Sequence, residues 1–326
     1  MNKKVLILKP RLDLPFKKFG LEKANHGPLP AIREHWKNFV DRLIEHHERQ
    51  KDKVVVIEEQ RWKFNNALPL MFSPDITYVP HVEKHNFKGL DNCRYYMQTV
   101  IPWLFTVDKL GWGGGASFAN DTYNVQDDEG ATFKKFQERA KAGGTKFDQP
   151  DREFVNNIGD FIFCPLQLPH DETIKWHSEV SVEVLAESLA KWGARNSVPI
   201  VFKNHPINPG SLQHVKAMVK QYPNCAWLEH EVNIHSVIKQ AKAVYVVNSG
   251  TGMESMLHEV PVVRFGSAEY NHAVIRGDIM DLKNTYYKVC NIDKSYMIDN
   301  YKQFYNWFVN LICYDSTNLG SFMKLR

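Results

Sequence analysis

Short apolar runs alternate with longer segments of helical periodicity along most of the chain. In the first half, apolar runs at 4–9 and 53–59 flank a helical pattern over 31–50, and a weaker apolar run follows at 75–83. Alternation of strand-like and helix-like segments is typical of parallel sheets whose connecting helices cover the faces of the sheet. The first half therefore predicts one α/β unit.

The second half repeats this alternation more regularly. The predicted strands span 160–167, 198–204, 225–230 and 243–249, and the predicted helices span 181–194, 210–222, 234–241 and 252–259. The pattern then weakens until a final helix over 295–313. We expect two Rossmann-like α/β domains, one at 1–150 and one at 151–326, joined within the polar stretch 134–151.

The composition is that of an ordinary globular protein. The 326 residues are 43% hydrophobic, and 41 basic and 37 acidic side chains give a formal charge of +4. The two signs are mixed along the chain, so no basic tail or block marks a nucleic-acid binder. A mildly basic surface favours an anionic substrate or an anionic membrane face.

The cysteines and the apolar runs indicate the compartment. The five cysteines are odd in number and have no CxxC spacing, which argues against a disulfide framework and a zinc site. The N-terminal apolar run ends at Leu8, and no window approaches the roughly 20 apolar residues of a membrane-spanning helix. We expect a cytoplasmic protein without a transmembrane segment, and a peripheral contact with the inner face of the membrane stays open.

Polar or ionisable side chains stand at the carboxyl ends of four consecutive predicted strands. Open parallel sheets bind ligands beyond those ends, so the four ends are expected to meet at one rim. A purely structural scaffold would not require chemistry at all four positions. The residues, in strand order, are Gln167, His170 and Asp171; Lys203, Asn204 and His205; Glu229 and His230; and Asn248, Ser249, Gly250, Thr251 and Gly252.

The last of these ends is a polar, glycine-rich turn that enters a helix at once, in the stretch VYVVNSGTGMES. Ser249 or Thr251 can cap the helix, and the adjacent glycines let the backbone approach an anion such as a phosphate. Glu254 has two interpretations. It can complete a capping box with Thr251, or its carboxylate can accept hydrogen bonds from a ribose, and both roles can coexist.

Asp171, Lys203 and His205 are the candidates for chemistry at the rim. A histidine before proline has an extended backbone, so the ring of His205 can be aimed at the rim, and Lys203 adds a cation beside the phosphate site. The alternatives are a turn histidine and, for Asp171, a helix cap before ETIKW. As a functional group, Asp171 would be a carboxylate nucleophile or base at a sugar carbon.

Together, the stretches PLQLPHDETI, VFKNHP and VYVVNSGTGMESMLHEVPVVRFGSAEY resemble the capsule polysaccharide synthesis family, which includes the bacterial β-Kdo glycosyltransferases. The resemblance covers about the second half and rests on the order and spacing of several short motifs. The matching positions are Gln167, Asp171, Lys203, His205, Pro206, Ser249, Gly252, Glu254, Pro261, Val262, Gly266 and Tyr270.

The resemblance implies a GT-B-like fold, with an acceptor-side N-terminal domain, a nucleotide-sugar-binding C-terminal domain and a final helix that crosses back over the junction. It implies transfer of Kdo or a related ulosonic acid from a CMP-activated donor to a glycan or lipid-linked acceptor. No metal or other cofactor is expected.

The resemblance also assigns roles to residues. Asp171 would attack the anomeric carbon in a retaining reaction, and His205 would act with it at the leaving phosphate. The positions expected to bind the donor are Gln167, Lys203, Asn248, Ser249, Gly250, Thr251 and Glu254. One such set is present, whereas family members that build a disaccharide linker carry two, so at most one linkage is expected.

Two features of the first half are ambiguous. The loop DKLGWGGGASF, with Trp112, Gly113 and Gly114, can close on the donor or shape an acceptor site, or it can be an interdomain turn anchored by Trp112. His26 is a candidate acceptor-side group, although a lone histidine is more often structural. The adjacent His46 and His47 lie in a charged helical pattern and are expected on a solvated face.

Three functions remain open from the sequence. The first is the CMP-sugar-dependent glycosyltransferase just described. The second is another GT-B-type nucleotide-sugar enzyme, either a sialyltransferase or a sugar-nucleotide epimerase, and the base of the nucleotide would discriminate it from the first. The third is a non-catalytic protein of polysaccharide assembly, in which Asp171 and His205 could be replaced without loss of function.

Overall fold

The computed structural model describes residues 2–13, 30–82, 84–87, 89–121, 123, 125–142, 144, 149–207 and 209–325. His26 lies outside the described residues. The helices are α1 (Pro30–Arg49), α2 (Ala67–Phe72), α3 (Ala131–Lys141), α4 (Glu172–His177), α5 (Val182–Asn196), α6 (Gln213–Val219), α7 (Ile234–Ile238), α8 (Thr251–Met256), α9 (Leu282–Cys290) and α10 (Lys294–Trp307).

The strands lie in two separate sheets. They are β1 (Lys4–Pro10), β2 (Lys53–Glu59), β3 (Ile76–Pro80), β4 (Cys93–Gln98), β5 (Leu104–Asp108), β6 (Ile162–Pro165), β7 (Ile200–Lys203), β8 (Cys225–Leu228), β9 (Ala243–Val246), β10 (Val262–Arg264), β11 (Ile275–Arg276) and β12 (Tyr314–Asp315). Short 3₁₀ turns and one π-helical turn at Phe308–Ile312 complete the assignment.

The described chain divides into two compact units, each built around one sheet. Unit 1 comprises the residues up to Phe118 and those from Phe308 onward, and unit 2 comprises Ala119–Trp307. The sequence placed the boundary near residue 150, but α3 belongs to unit 2. It does so because Phe133 and Phe136 of α3 pack against Tyr305 of α10, with ring centroids 5.5 and 6.0 Å apart.

Unit 1 contains a mixed sheet in the strand order β12-β5-β4-β3-β1-β2. The pairs among β2, β1, β3 and β4 are parallel, whereas β5 runs antiparallel to both β4 and β12. The sequence pattern missed β4 and β5. The stretches CRYYMQ and LFTVD carry Arg94, Gln98 and Asp108 among their apolar residues, which hides a strand.

His46 and His47 of α1 are buried, 5% and 3% exposed, so their expected position on a solvated face was wrong. The Nδ1 atom of His47 lies 2.8 Å from the carboxylate of Asp52, and Nε2 lies 2.9 Å from the hydroxyl of Tyr78. Both ring nitrogens therefore have partners. The contact with Tyr78, in β3, joins α1 to the sheet of unit 1. It links distant parts of the sequence, so local charge patterning does not show it.

Unit 2 contains a sheet in which every pair of neighbouring strands is parallel, in the order β11-β10-β9-β6-β7-β8. Strands β6, β7 and β9 are buried throughout, as expected for strands covered on both faces. This sheet matches the strands predicted for the second half. The pattern missed the short α4 and also α9, whose sequence LKNTYYKVC has only a few apolar positions.

Helix α5 illustrates how the sequence builds this unit. Ser181 caps the helix by accepting a hydrogen bond from the Val184 amide at 3.2 Å. The buried positions recur every three or four residues and form one apolar face against the sheet. They are Val182, Leu185, Ala186, Leu189, Ala190 and Gly193.

The final helix ends earlier than predicted. α10 stops at Trp307, the π-helical turn follows, and the chain then adds β12 to the sheet of unit 1. Among the described residues, no helix is long and apolar enough to cross a membrane. All five cysteines are free thiols, so none of them forms a disulfide.

The start of α8 is fixed by Tyr270, which is fully buried. The Tyr270 hydroxyl donates a hydrogen bond to the carbonyl oxygen of Ser249, in the turn before the helix. A Cβ atom added at Gly252 would lie 2.5 Å from the same hydroxyl and 2.7 Å from the ring carbon that carries it. Gly252 is therefore required by the close approach of α8 to the tyrosine.

We expect Gly252→Ala to lower the free energy of unfolding by about 1–3 kcal/mol, because the added methyl overpacks a filled core. Chemical denaturation of the variant measures this value. Gly320→Ala is the matched control, since a Cβ at that exposed position would meet only the Asn318 side chain, at 3.1 Å. A Gly252→Ala protein as stable as the unmodified chain would contradict the packing described here.

A second buried pair gives the fold an acid sensitivity. His235 Nδ1 lies 2.7 Å from His258 Nε2, and burial lowers the pKa of each ring to about 4. The unfolded chain has an ordinary histidine pKa near 6.5, so between pH 6.5 and 4 it binds more protons than the folded chain. The free energy of unfolding therefore falls as the pH is lowered through this window.

For the buried His235 we expect a loss of about 1–2 kcal/mol at pH 5 relative to pH 7.5. Denaturation curves at several pH values measure it, with His235→Gln expected to reduce the slope of stability against pH. His214 is exposed, so His214→Gln should leave that slope unchanged. Equal slopes for the unmodified chain and His235→Gln would refute the assignment.

Candidate functional site

The predicted rim of unit 2 begins at the end of β6, where Asp171 starts α4. Asp171 is the N-cap of that helix, and its Oδ1 atom accepts a hydrogen bond from the Thr173 amide at 2.9 Å. The same oxygen accepts a second hydrogen bond, from the Thr173 hydroxyl at 2.8 Å. The capping interpretation of Asp171 is therefore correct in geometry, and the half-buried carboxylate still lies at the rim.

Gln167 and Asn248 join the ends of β6 and β9 through a buried hydrogen-bond network. The backbone amide of Asn248 donates to Gln167 Oε1 at 3.1 Å, and Gln167 Nε2 donates to Asn248 Oδ1 at 3.0 Å. Asn248 Nδ2 donates to the carbonyl oxygen of Thr173 at 2.8 Å. Because both side chains are 6% exposed and bonded to protein groups, they hold the rim together. Their predicted contact with a donor stays a prediction.

Lys203 and His205 follow β7, the neighbour of β6. Lys203 is only 4% exposed, and its Nζ atom donates to the carbonyl oxygen of His230 at 3.4 Å. Burial lowers the pKa of Lys203 to about 8, against the opposing attraction of Glu231 and Glu229. Among the described residues, no carboxylate lies within ion-pair distance of Lys203. A buried ammonium group in that position is costly, and an anionic ligand would reduce that cost.

The imidazole of His205 is neutral. Its Nδ1 atom accepts a hydrogen bond from the Ile207 amide at 3.2 Å, so the ring proton resides on Nε2. Burial lowers the pKa of His205 to about 4; the carboxylate of Asp171 opposes that shift, while Lys203 and His170 add to it. The charges of Asp171 and Lys203 thus both act on the ring of His205, while the catalytic roles of the three residues stay predictions.

Glu229 at the end of β8 is committed to protein contacts. It forms an ion pair with Lys216, and its Oε2 atom accepts a hydrogen bond from Asn204 Nδ2 at 3.2 Å. Asn204 in turn accepts a hydrogen bond from the His205 amide at 2.9 Å. These contacts hold Asn204, which lies between Lys203 and His205, so this part of the rim is preorganised.

The turn before α8 lacks the capping box that was one of the two interpretations of Glu254. The N-cap is Gly250, without a side-chain cap, so Glu254 is the fourth residue of the helix and no capping box with Thr251 forms. Ser249 Oγ instead accepts the Thr251 amide at 3.2 Å and donates to Thr251 Oγ1 at 3.1 Å. The turn presents half-buried hydroxyls at the rim, on a helix of only six residues.

The glycine loop of unit 1 is packed around Asp108. The carboxylate of Asp108 accepts hydrogen bonds from the amides of Leu110, Gly111 and Ser117 and from the Ser117 hydroxyl. Trp112 is 3% exposed and donates from Nε1 to the carbonyl oxygen of Val82 at 2.8 Å. Trp112 is thus an anchor, as one alternative had it, and Gly113 and Gly114 are buried beside it. A role in acceptor binding or closure stays a prediction.

The chemistry available at the rim is that of a carboxylate, a neutral imidazole with its proton on Nε2, and a buried cation. Thr173 is the residue that sequence reasoning missed, because a threonine inside DETI looks like a first-turn helix residue. Over the described part of the chain, no group of three or more histidine, cysteine, aspartate or glutamate side chains is arranged to hold a metal ion.

Comparison with solved structures concerns the whole chain. KpsC of Thermosulfurimonas dismutans, described as a β-Kdo 2,7 transferase, is similar with a TM-score of 0.53 and 13% sequence identity, covering 95% of this chain and 92% of that chain. A likeness at this identity establishes the fold. The predicted fold class, a GT-B-like α/β protein with two Rossmann-like sheets, is confirmed.

Two comparisons of sequences each match part of the chain. The capsule polysaccharide modification protein LipB of Neisseria meningitidis, from serogroups A and B, is 25% identical over 127 residues, or 36% of this chain and 30% of LipB. The alignment therefore spans under a third of the length of these curated relatives. The model of the family described as capsule polysaccharide biosynthesis protein matches residues 120–279. This match spans just under half of the chain, and it confirms the resemblance that the motifs of the second half indicated.

Proposed function

We propose that this protein is a glycosyltransferase that transfers Kdo or a related ulosonic acid from a CMP-activated donor to a glycan or lipid-linked saccharide. The observation that carries the proposal is the grouping of Asp171, His205 and Lys203 at the ends of the adjacent strands β6 and β7. The capsule family match over 120–279 and the fold shared with the β-Kdo transferase KpsC support it.

Asp171 is the nucleophile in this proposal. Its carboxylate attacks the anomeric carbon of the donor sugar, and the bond from that carbon to the CMP phosphate oxygen breaks. CMP leaves with the bonding electron pair, and a glycosyl ester remains on Asp171. An acceptor hydroxyl then attacks the same carbon, loses its proton, and releases the carboxylate, so that two inversions give net retention.

His205 and Lys203 stabilise the departing CMP. The Nε2 proton of His205 donates a hydrogen bond to a phosphate oxygen without requiring a charged ring, since its pKa is about 4. The Lys203 ammonium supplies positive charge from a buried position, where an ion interaction is stronger than in water. Ser249 and Thr251 offer hydroxyls to the same phosphate. With these groups, the proposed transfer proceeds without a metal ion.

The acceptor is a surface glycan or its lipid-linked precursor, by analogy with the capsule proteins to which the chain is similar. A transfer of that kind is made in the cytoplasm, at the inner face of the membrane. We propose that unit 1 binds the acceptor. If that acceptor is lipid-linked, the protein is expected to contact the membrane peripherally.

The test is release of CMP from CMP-Kdo by the purified protein. We expect Asp171→Asn to lower turnover at least about 1000-fold, because the amide cannot form the ester. We expect His205→Ala to lower it by about 100-fold, because one preorganised donor to the leaving group is lost. Intact-protein mass, read beside the kinetics, should detect a sugar adduct that depends on Asp171.

Two variants control for the chemical change itself. Asp160 is 84% exposed and His214 is 59% exposed, both as side chains, so Asp160→Asn and His214→Ala should retain turnover. CMP-sialic acid and UDP-sugars serve as alternative donors. Turnover of one of these in place of CMP-Kdo would reassign the donor, and binding of no CMP-sugar would reject the proposal.

A further inference from the structure

Both hydrogen bonds received by the carboxylate of Asp171 arrive at one oxygen. The amide and the hydroxyl of Thr173 donate to Oδ1, at 2.9 and 2.8 Å. Among the described residues, Oδ2 has no hydrogen-bond partner. A carboxylate held in this way has two unlike oxygens, one engaged by the protein and one left to react.

The direction of the Thr173 hydroxyl is set by its neighbours. The backbone amide of Asn248 can only donate, so the Gln167 atom 3.1 Å away is the acceptor Oε1. The other end of that amide, Nε2, then faces Thr173 Oγ1 at 3.3 Å and can only donate to it. With one donor already aimed at its oxygen, the Thr173 hydroxyl turns its own proton toward Asp171.

Thr173 itself is held in place from β9. Its carbonyl oxygen accepts a hydrogen bond from Asn248 Nδ2 at 2.8 Å, so Asn248 contacts both Gln167 and the first turn of α4. A chain of hydrogen bonds with one donor direction therefore runs from the backbone amide of Asn248 through the side chains of Gln167 and Thr173 to Oδ1 of Asp171. Every member of the chain is fixed by a group whose donor or acceptor character is unambiguous.

We infer that Thr173 is a positioning residue that presents Oδ2 of Asp171 as the attacking oxygen, with Gln167 and Asn248 orienting Thr173. This inference rests on the proposed function. The bond to the anomeric carbon forms at Oδ2, the bond from that carbon to the phosphate oxygen breaks, and CMP leaves with the electron pair. The Thr173 proton stays on its hydroxyl throughout, because its part is to hold Oδ1.

The test compares Thr173→Val with Thr173→Ser in CMP release from CMP-Kdo. Valine keeps the size of the side chain and the amide contact but removes the hydroxyl, so the carboxylate can rotate. We expect kcat to fall about 10- to 100-fold, as for a misplaced reacting group, with the KM for the donor within about threefold. Serine retains the hydroxyl and should restore kcat to within about threefold of the unmodified chain. Thr173→Ala covers the case in which valine misfolds.

The chain offers a matched control at Thr317, far along the sequence. Thr317 donates from its amide at 2.8 Å and from its hydroxyl at 2.7 Å to Oδ1 of Asp315, the same local arrangement at an exposed site in unit 1. Thr317→Val removes an equivalent hydrogen bond and should leave kcat unchanged. Thermal unfolding of all variants separates a loss of stability from a loss of positioning.

The outcomes distinguish this inference from the proposed function. If the unmodified chain turns over no CMP-sugar, the proposed function fails, and the role of Thr173 fails with it. If turnover depends on Asp171 but Thr173→Val matches Thr317→Val in kcat, Thr173 is only a helix residue and the inference alone is overturned. A loss of kcat in valine that serine does not restore also overturns it.

Discussion

The candidate site depends on one reciprocal pair of hydrogen bonds, between the side-chain amide of Gln167 and the backbone and side chain of Asn248. Strands β6 and β9 pair through only a short register, and this pair extends their connection past the point where the ladder ends. Buried amides of this kind are stable only when each polar atom is satisfied, so the arrangement is specific. These hydrogen bonds fix the start of α4, and with it the position of Asp171.

The electrostatics of the rim complement this geometry. Burial lowers the pKa of both His205 and Lys203, because it disfavours the charged form of each group. An arriving phosphate would supply the counter-charge that no described residue places at contact distance from Lys203. Sites built in this way favour an anion at the point where charge develops during group transfer. The mildly basic net charge of the chain acts in the same direction at longer range.

Local sequence signals predicted unit 2 well because its strands are continuous apolar runs and its helices have one apolar face. They predicted the rim because parallel topology brings the ends of β6, β7 and β9 together. They failed where a contact joins distant segments. His47 contacts Tyr78, and Tyr270 bonds the turn in which Gly250, and neither Ser249 nor Thr251, is the cap. Thr173 was missed because its importance lies in the direction of one hydroxyl, which periodicity and spacing do not encode.

The sheet of unit 1 is completed by β12, which pairs with β5 although about two hundred residues, including all described residues of unit 2, separate them in sequence. During synthesis, the described residues of unit 2 emerge as one continuous segment and can bury their core while unit 1 still lacks an edge strand. Until residues 314 and 315 are made, β5 presents unpaired backbone groups, an exposed edge of the kind that invites pairing with other chains. The sheet of unit 1 can therefore be completed only after the β12 segment has been synthesised.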